Sequence, residues 1–231
     1  MDNTDRWNQQ WATDEDVTID LDKCSLILRE LVLYSKNIIA NLNIRDGKIL
    51  DAGGGNGKTL KFYNLSSQNN RLYLVDMSEK AVAFACKQGV EAAVCDLSKD
   101  CLPYEDKYFD LVVAQEVIEH LYNYNNIINE SYRVLKQGGH LYITTPNIVG
   151  LIDRICLLRG KKPLAMTWDK SHIRFFTFGE LENEISMSGF KVVVSATQGV
   201  YFSIKGRAFR IPLLTSVNKN LGQHIMILAK K

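Results

Sequence analysis

Three aspartates, a run of glycines and two histidines are the residues of this chain best suited to chemistry. Asp51 closes the apolar run Ile49-Leu50 and is followed by Ala52-Gly53-Gly54-Gly55-Asn56-Gly57-Lys58-Thr59. Asp76 and Asp96 follow two further apolar stretches, and Gln115 follows another. A glycine-rich turn brings bare backbone and its N–H groups close to a bound ligand. A carboxylate beside that turn repels a pyrophosphate, but it accepts from hydroxyls and amines and attracts cations. His120 and His172 can take up a proton near neutral pH. His172 lies in the basic, aromatic stretch Trp168-Asp169-Lys170-Ser171-His172-Ile173-Arg174-Phe175-Phe176, which suits an acidic or ring-bearing acceptor. Glu116, Glu119 and His120 stand at i, i+3 and i+4, so a helix would put them on one face. Two carboxylates and an imidazole could also hold a divalent metal, but acids at a helix start already favour its dipole, and no metal is assigned to them.

These residues need a scaffold that brings them to one place. Residues 48–51 read as a first strand and 59–65 as a helix. Residues 71–75 form a second strand, after which Ser78 caps a helix that Gly89 stops. Residues 91–95 and 108–114 give two more strands. A helix over 125–136 ends at Gly138-Gly139, and a fifth strand over 140–145 ends at Pro146. This alternation predicts an α/β fold: a Rossmann-like doubly wound, mostly parallel sheet with helices on both faces. Beyond it, 148–158 reads as a helix and 161–174 as irregular. Thr177 to Glu180 is a capping-box pattern opening a helix that Gly189 stops. Strands follow at 191–196 and 224–229, the last most easily antiparallel. Residues 198–221 have no clear period and read as a loop or cap. Upstream, 24–42 is an amphipathic helix, and Trp7 and Trp11 lie in a polar tail that could fold over a ligand.

Composition narrows the classes. With 231 residues, 46% hydrophobic and 23% charged, the chain has the make-up of a globular domain. A formal net charge of +2 gives no bias toward nucleic acid or a membrane surface. No apolar run reaches the roughly 18 residues of a membrane span. The five cysteines are scattered with no C-x-x-C pair, which predicts reduced thiols, no structural zinc and a cytoplasmic location.

In an open α/β sheet, ligands bind beyond the carboxyl ends of the strands. Those ends carry Asp51, Asp76, Asp96 and Gln115. Three acids there suit S-adenosylmethionine, with its ribose diol, exocyclic amine, ammonium and sulfonium. Asp76 would accept from the ribose hydroxyls and Asp96 from the adenine amine. Gly53, Gly54 and Gly55 would admit the methionine part, its carboxylate near the start of the following helix.

At this point the sequence resembles the class I S-adenosylmethionine-dependent methyltransferases, near the small-molecule branch of the ubiquinone-pathway enzymes. The family's D-x-G-x-G-x-G falls on Asp51, Gly53, Gly55 and Gly57. Its second-strand acid falls on Asp76, followed by Met77, and its later acid and apolar pair on Asp96-Leu97. The segment Phe109 to His120 matches F-D-x-V-x-x-x-x-V-x-E-H, and Leu135 to Gly139 matches L-K-x-G-G. The resemblance implies a seven-stranded sheet in one methyltransferase domain. Residues 1–45 would be a flap and helix, 46–147 the cofactor-binding core and 148–231 the substrate side. It implies methyl transfer to a small-molecule acceptor, O-methylation slightly favoured, with His120 or His172 as base and no nucleic-acid or membrane partner. Two rivals fit less well. Ala52 to Thr59 is a relaxed phosphate-loop pattern lacking the first glycine. The dinucleotide pattern G-x-G-x-x-G fails from both Gly53 and Gly55. A macromolecular acceptor, or a non-catalytic binder that has kept the pocket, is the remaining alternative.

Overall fold

The computed structural model describes residues 19, 25–167, 169–204, 207–210 and 218–231. Trp7, Trp11 and the expected flap lie outside the described residues, as does Trp168. The elements in chain order are α1 (Leu26–Ala40), β1 (Lys48–Ala52), α2 (Lys58–Tyr63), β2 (Arg71–Asp76), α3 (Glu79–Lys87), β3 (Glu91–Val94) and β4 (Phe109–Gln115). They continue with α4 (Tyr124–Val134), β5 (Leu135–Pro146), α5 (Leu151–Leu158), α6 (Phe178–Met187), β6 (Lys191–Gln198), β7 (Tyr201–Ile204), β8 (Arg207–Arg210) and β9 (His224–Lys230).

Seven strands form one sheet in the order β3-β2-β1-β4-β5-β9-β6. The neighbours from β3 to β5 pair in parallel, and β9 runs antiparallel to both β5 and β6. The expected seven-stranded sheet with an antiparallel last strand is therefore present. Alternation along the central strands sends Leu50, Val112 and Leu141 to one face and Ile49, Leu111 and Tyr142 to the other. On the first face, Ile127 and Ile128 of α4 and Leu181 and Ile185 of α6 complete an apolar layer. On the second, Leu31 and Ile39 of α1, Leu60 of α2 and Val82 of α3 do the same.

Local chemistry explains several boundaries. The Thr177 side chain accepts from the Glu180 N–H, and the Glu180 carboxylate accepts from the Thr177 N–H, so the expected capping box opens α6. Thr177→Ala removes half of that box and is expected to cost about 1 kcal/mol of stability, measured as a lowered midpoint in urea. Gly138-Gly139 does not end a helix before a short strand. β5 starts at Leu135, immediately after α4, and takes both glycines into an irregular stretch before its regular pairing resumes at His140. Gly138 adopts φ +82°, and a Cβ on Gly139 would stand 3.0 Å from the Lys136 carbonyl oxygen. Part of the expected loop over 198–221 is a two-stranded ribbon of β7 and β8. Among the described residues no helix is long and apolar enough to cross a membrane.

Candidate active site

The sheet reverses its winding between β1 and β4, and the chemistry-bearing residues gather beyond that point. The first group surrounds the glycine loop. Gly53 has φ +78°, and its N–H donates to the Val75 carbonyl at 2.7 Å. A Cβ on Gly53 would stand 2.7 Å from Val117, and one on Gly54 would stand 2.7 Å from the Asp51 carboxylate. At Gly53 and Gly54 the loop is thus packed too closely for any side chain. Gly55 donates its N–H to Asp76 Oδ2 at 2.9 Å, while Ser78 donates to Asp76 Oδ1 at 2.9 Å. Asp76 therefore holds the crest of the loop and the start of α3 together.

Asp51 lies beneath the loop and is buried, and its Oδ2 has no hydrogen-bond partner. Burial, then the charge of Asp76, push its carboxyl up to about 7. Burial also raises Asp76, against the pull of the Ser78, Gly55 and Met77 N–H groups. Two buried carboxylates side by side with an unsatisfied oxygen call for a donor or a cation. That is a poor seat for a pyrophosphate. It fits S-adenosylmethionine, which brings hydroxyls, an ammonium and positive sulfur.

The flanking residues differ in how much they keep free. Asp96 is half-buried, accepts from the Ser98 N–H at 2.9 Å and pairs with Lys99 at 3.2 Å. Leu97 is buried in the core, and Met77 is half-buried at the end of β2. Gln115 lies at the end of β4, where its side-chain carbonyl accepts from the Tyr63 hydroxyl of α2. Asp51, Gly53, Gly54, Gly55, Asp76 and Met77 thus share one corner, with Asp96 and Gln115 at its rims.

The second group lies past the ends of β4 and β5. The expected helical face of Glu116, Glu119 and His120 is not formed. Glu116 takes φ +54°, and only Ile118–His120 make a single 3-10 turn. The kink sends the two acids to different partners. Glu116 Oε1 accepts from the Thr144 hydroxyl at 2.8 Å, and its Oε2 lies 3.4 Å from Nε2 of His224. Burial opposes its ionisation, but His224 and Thr144 outweigh that and hold the carboxyl below the usual range. Glu119 is almost fully buried; Oε2 accepts from the Thr145 hydroxyl at 3.0 Å, and Oε1 has no hydrogen-bond partner but lies 4.0 Å from His120 Nε2. Burial, then the Glu116 charge, push it well above the ordinary value.

His120 and His172 meet beside Glu119, with ring centroids 4.9 Å apart. His120 Nδ1 lies 3.2 Å from the Ser171 carbonyl oxygen, and His172 Nδ1 lies 2.8 Å from that of Ala165. Carbonyl partners put the proton on each Nδ1 and the basic lone pair on Nε2. Burial, then His172, lower the pKa of His120, partly offset by the Ser171 carbonyl. The strap carrying His172 is well anchored. The Ile173 and Arg174 N–H groups both donate to the Glu119 carbonyl, at 2.9 and 3.0 Å. Buried Asp153 accepts from the Leu164 and Ala165 N–H groups and fixes the turn whose carbonyl holds His172.

Sequence reasoning missed His224. Its only signal was one imidazole at the head of the apolar run 225–229. An antiparallel last strand begins at the edge where the parallel strands end, so its first residue falls into the site. Pro146 pairs with His224 in that register.

Comparisons with known proteins bear on the family and the fold. Residues 50–143 match the family model described as a methyltransferase domain. An uncharacterised protein of Methanocaldococcus jannaschii is 32% identical over 180 residues, covering 77% of this chain and 67% of that one. The ubiquinone/menaquinone biosynthesis C-methyltransferase of Cupriavidus metallidurans is 30% identical over 119 residues, 48% of each chain. Among solved structures, a SAM-dependent methyltransferase from Archaeoglobus fulgidus superposes with a TM-score of 0.64 at 17% identity, over 100% of both chains.

Proposed function

The chain belongs to the class I S-adenosylmethionine-dependent methyltransferases, and from that premise we propose that it methylates a small-molecule acceptor, on oxygen. Asp76 takes the ribose hydroxyls, Asp96 and Leu97 the adenine end, and Met77 and Gln115 line the pocket. Gly53, Gly54 and Gly55 admit the amino-acid part, and Asp51 faces its ammonium group. When bound, the cofactor supplies a methyl group already activated on sulfur. The chain's own residues then have to orient the acceptor, exclude water and unmask its oxygen.

The observation that carries the oxygen assignment is the pair of imidazoles, 4.9 Å apart, at the same strand edge as the glycine loop. His120, held neutral by burial, and His172 present basic nitrogens where an acceptor hydroxyl would lie. A net charge of +2 supports a small molecule over RNA or DNA. The match to a quinone-pathway C-methyltransferase favours a ring-bearing acceptor and keeps ring carbon as the second reading.

The test is calorimetric titration with S-adenosylhomocysteine, with ATP–magnesium and NAD as controls, then a screen of hydroxylated compounds for methyl uptake. Binding of ATP or NAD alone sinks the reading. The same titration, run with S-adenosylmethionine, carries a further prediction. With its carboxyl at about 7, Asp51 is about half protonated at pH 7 in the free protein. S-adenosylmethionine brings an ammonium and a sulfonium, which lower that value. Its binding at pH 7 therefore releases up to about half a proton, a release that vanishes by pH 8.5, where Asp51 is already ionised. Binding heats in buffers of different ionisation enthalpy measure it, and an equal release from Asp51→Asn would exclude Asp51 as the source.

A further inference from the structure

Three hydroxyls lie buried on the second face of the sheet: Ser35 of α1, Tyr63 of α2 and Tyr142 of β5. We propose that they form a one-way hydrogen-bond relay in which Tyr63 is a positioning residue. Its hydroxyl holds the Gln115 carboxamide with Nε2 toward the ligand, and Nε2 donates to the carboxylate of the cofactor's amino-acid part. In the methyltransferase reading, on which this assignment rests, that carboxylate has had no side chain to hold it.

The Tyr142 hydroxyl donates to Ser35 Oγ at 2.7 Å, and the Tyr63 hydroxyl donates to Gln115 Oε1. Ser35 links the two, since its hydroxyl also hydrogen-bonds the Tyr63 oxygen. Each hydroxyl has one proton to donate. Tyr142 gives its proton to Ser35, so Ser35 gives its own to Tyr63, and Tyr63 gives its own to Gln115. Burial pushes both phenols above their ordinary range, Tyr63 with a further push from Tyr142. Both therefore keep their protons through the neutral range, and the relay keeps its direction. A carboxamide can present either end to a neighbour. Here the carbonyl end is taken, which leaves Nε2 for a ligand.

The relay opens in one place. Ser35, Tyr63 and Tyr142 are buried, whereas Gln115 at the end of β4 is half-buried. Asp51 pairs with Val113, and Gln115 is two residues on, so all three face the side of the sheet that carries Tyr63. The relay thus ends beside the carboxylate that would face the cofactor's ammonium group. The ammonium and carboxylate of an α-amino acid share one carbon, and an acceptor and a donor side by side are their complement. Alanine at 35 and phenylalanine at 63 and 142 would fill the same layer without burying a hydroxyl. A buried hydroxyl is costly unless it is bonded. These three satisfy one another and pass on a direction, for which an apolar core has no use.

The experiment is calorimetric titration of the wild-type chain and of Tyr63→Phe with three probes. These are S-adenosylhomocysteine, its decarboxylated analogue S-adenosyl-3-thiopropylamine, and 5′-methylthioadenosine, which lacks the whole amino-acid part. Tyr63→Phe is expected to bind S-adenosylhomocysteine about tenfold more weakly and the other two within about twofold of wild type. Gln115→Ala should show the same split, and adding Tyr63→Phe to it should bring no further loss. Ser35→Ala interrupts the relay one step earlier and carries the same test should Tyr63→Phe not fold. Equal losses on all three probes would mean that the hydroxyl only supports the loop, and would overturn the proposal. A loss shared by the decarboxylated analogue, no loss at all, or additive losses in the double variant would overturn it too. In each of those cases the wild type still binds S-adenosylhomocysteine and the methyltransferase reading stands. A wild-type chain that binds none of the three removes that reading and the proposal with it.

Discussion

Asp76→Ala is expected to lower affinity for S-adenosylhomocysteine by about 100-fold to 10,000-fold while the fold survives. The magnitude follows from two charge-assisted hydrogen bonds to the ribose, each about 1.5–3 kcal/mol, at about 1.4 kcal/mol per tenfold. Two further losses act in the same direction. The Gly55 and Ser78 N–H groups lose their acceptor, so the glycine loop and the start of α3 are no longer tied together. The fold tolerates the change because burial already disfavours the charged form of this carboxyl. Removing it gives back desolvation cost as well as losing bonds. Calorimetry gives the affinity, and a cooperative thermal melt with unchanged far-ultraviolet dichroism gives the fold. Wild-type affinity in the variant would mean that Asp76 does not hold the ribose.

The second large effect is expected at His172. His172→Ala should reduce turnover by about 100-fold or more, the usual worth of a group that activates a nucleophile, with S-adenosylhomocysteine affinity unchanged within about twofold. The separation rests on position. His172 belongs to the strap bound to the Glu119 carbonyl, whereas the cofactor corner is built from the ends of β1 to β4 and the loop between β1 and α2. A fall in cofactor affinity matching the fall in turnover would place His172 in the cofactor pocket and refute the division of labour. Initial rates at saturating cofactor, beside calorimetry on the same protein, make the distinction.

The cofactor corner was legible because its constraints are local and periodic. An apolar run ending in Asp51 and then three glycines can hardly be anything but a strand entering a tight turn, and Asp76 and Asp96 repeat the strand-then-acid arrangement. Two local signals were misread. Glu116, Glu119 and His120 have helical spacing, but Glu116 takes a left-handed conformation that sets its carboxylate on Thr144 and His224. Spacing carries no information about such a kink, which tertiary hydrogen bonds stabilise. Gly138-Gly139 looked like a helix stop because glycine marks both stops and strand bulges. His224 and the meeting of His120 with His172 could not be read locally, since the order of strands in the sheet decides them. Asn147 is a similar case. It is fully buried and donates to the Asn220 and Gly222 carbonyls at 3.1 and 2.7 Å, a long-range fastening that no local pattern predicts.

The antiparallel course of β9 has a consequence for the order in which the protein becomes competent during synthesis. Chains emerge from the ribosome at about 5–20 residues per second, N-terminal residues first. The strands that build the cofactor corner, β1 to β4, all emerge before residue 116. The imidazole partner of Glu116 arrives only with His224, and β9 must then insert between β5 and β6. A nascent chain has therefore presented every strand of the cofactor corner well before the acceptor side can close. Because β9 separates β5 from β6, chains stopped before it would leave both strands with unpaired edges, a form prone to aggregate and suited to chaperone capture.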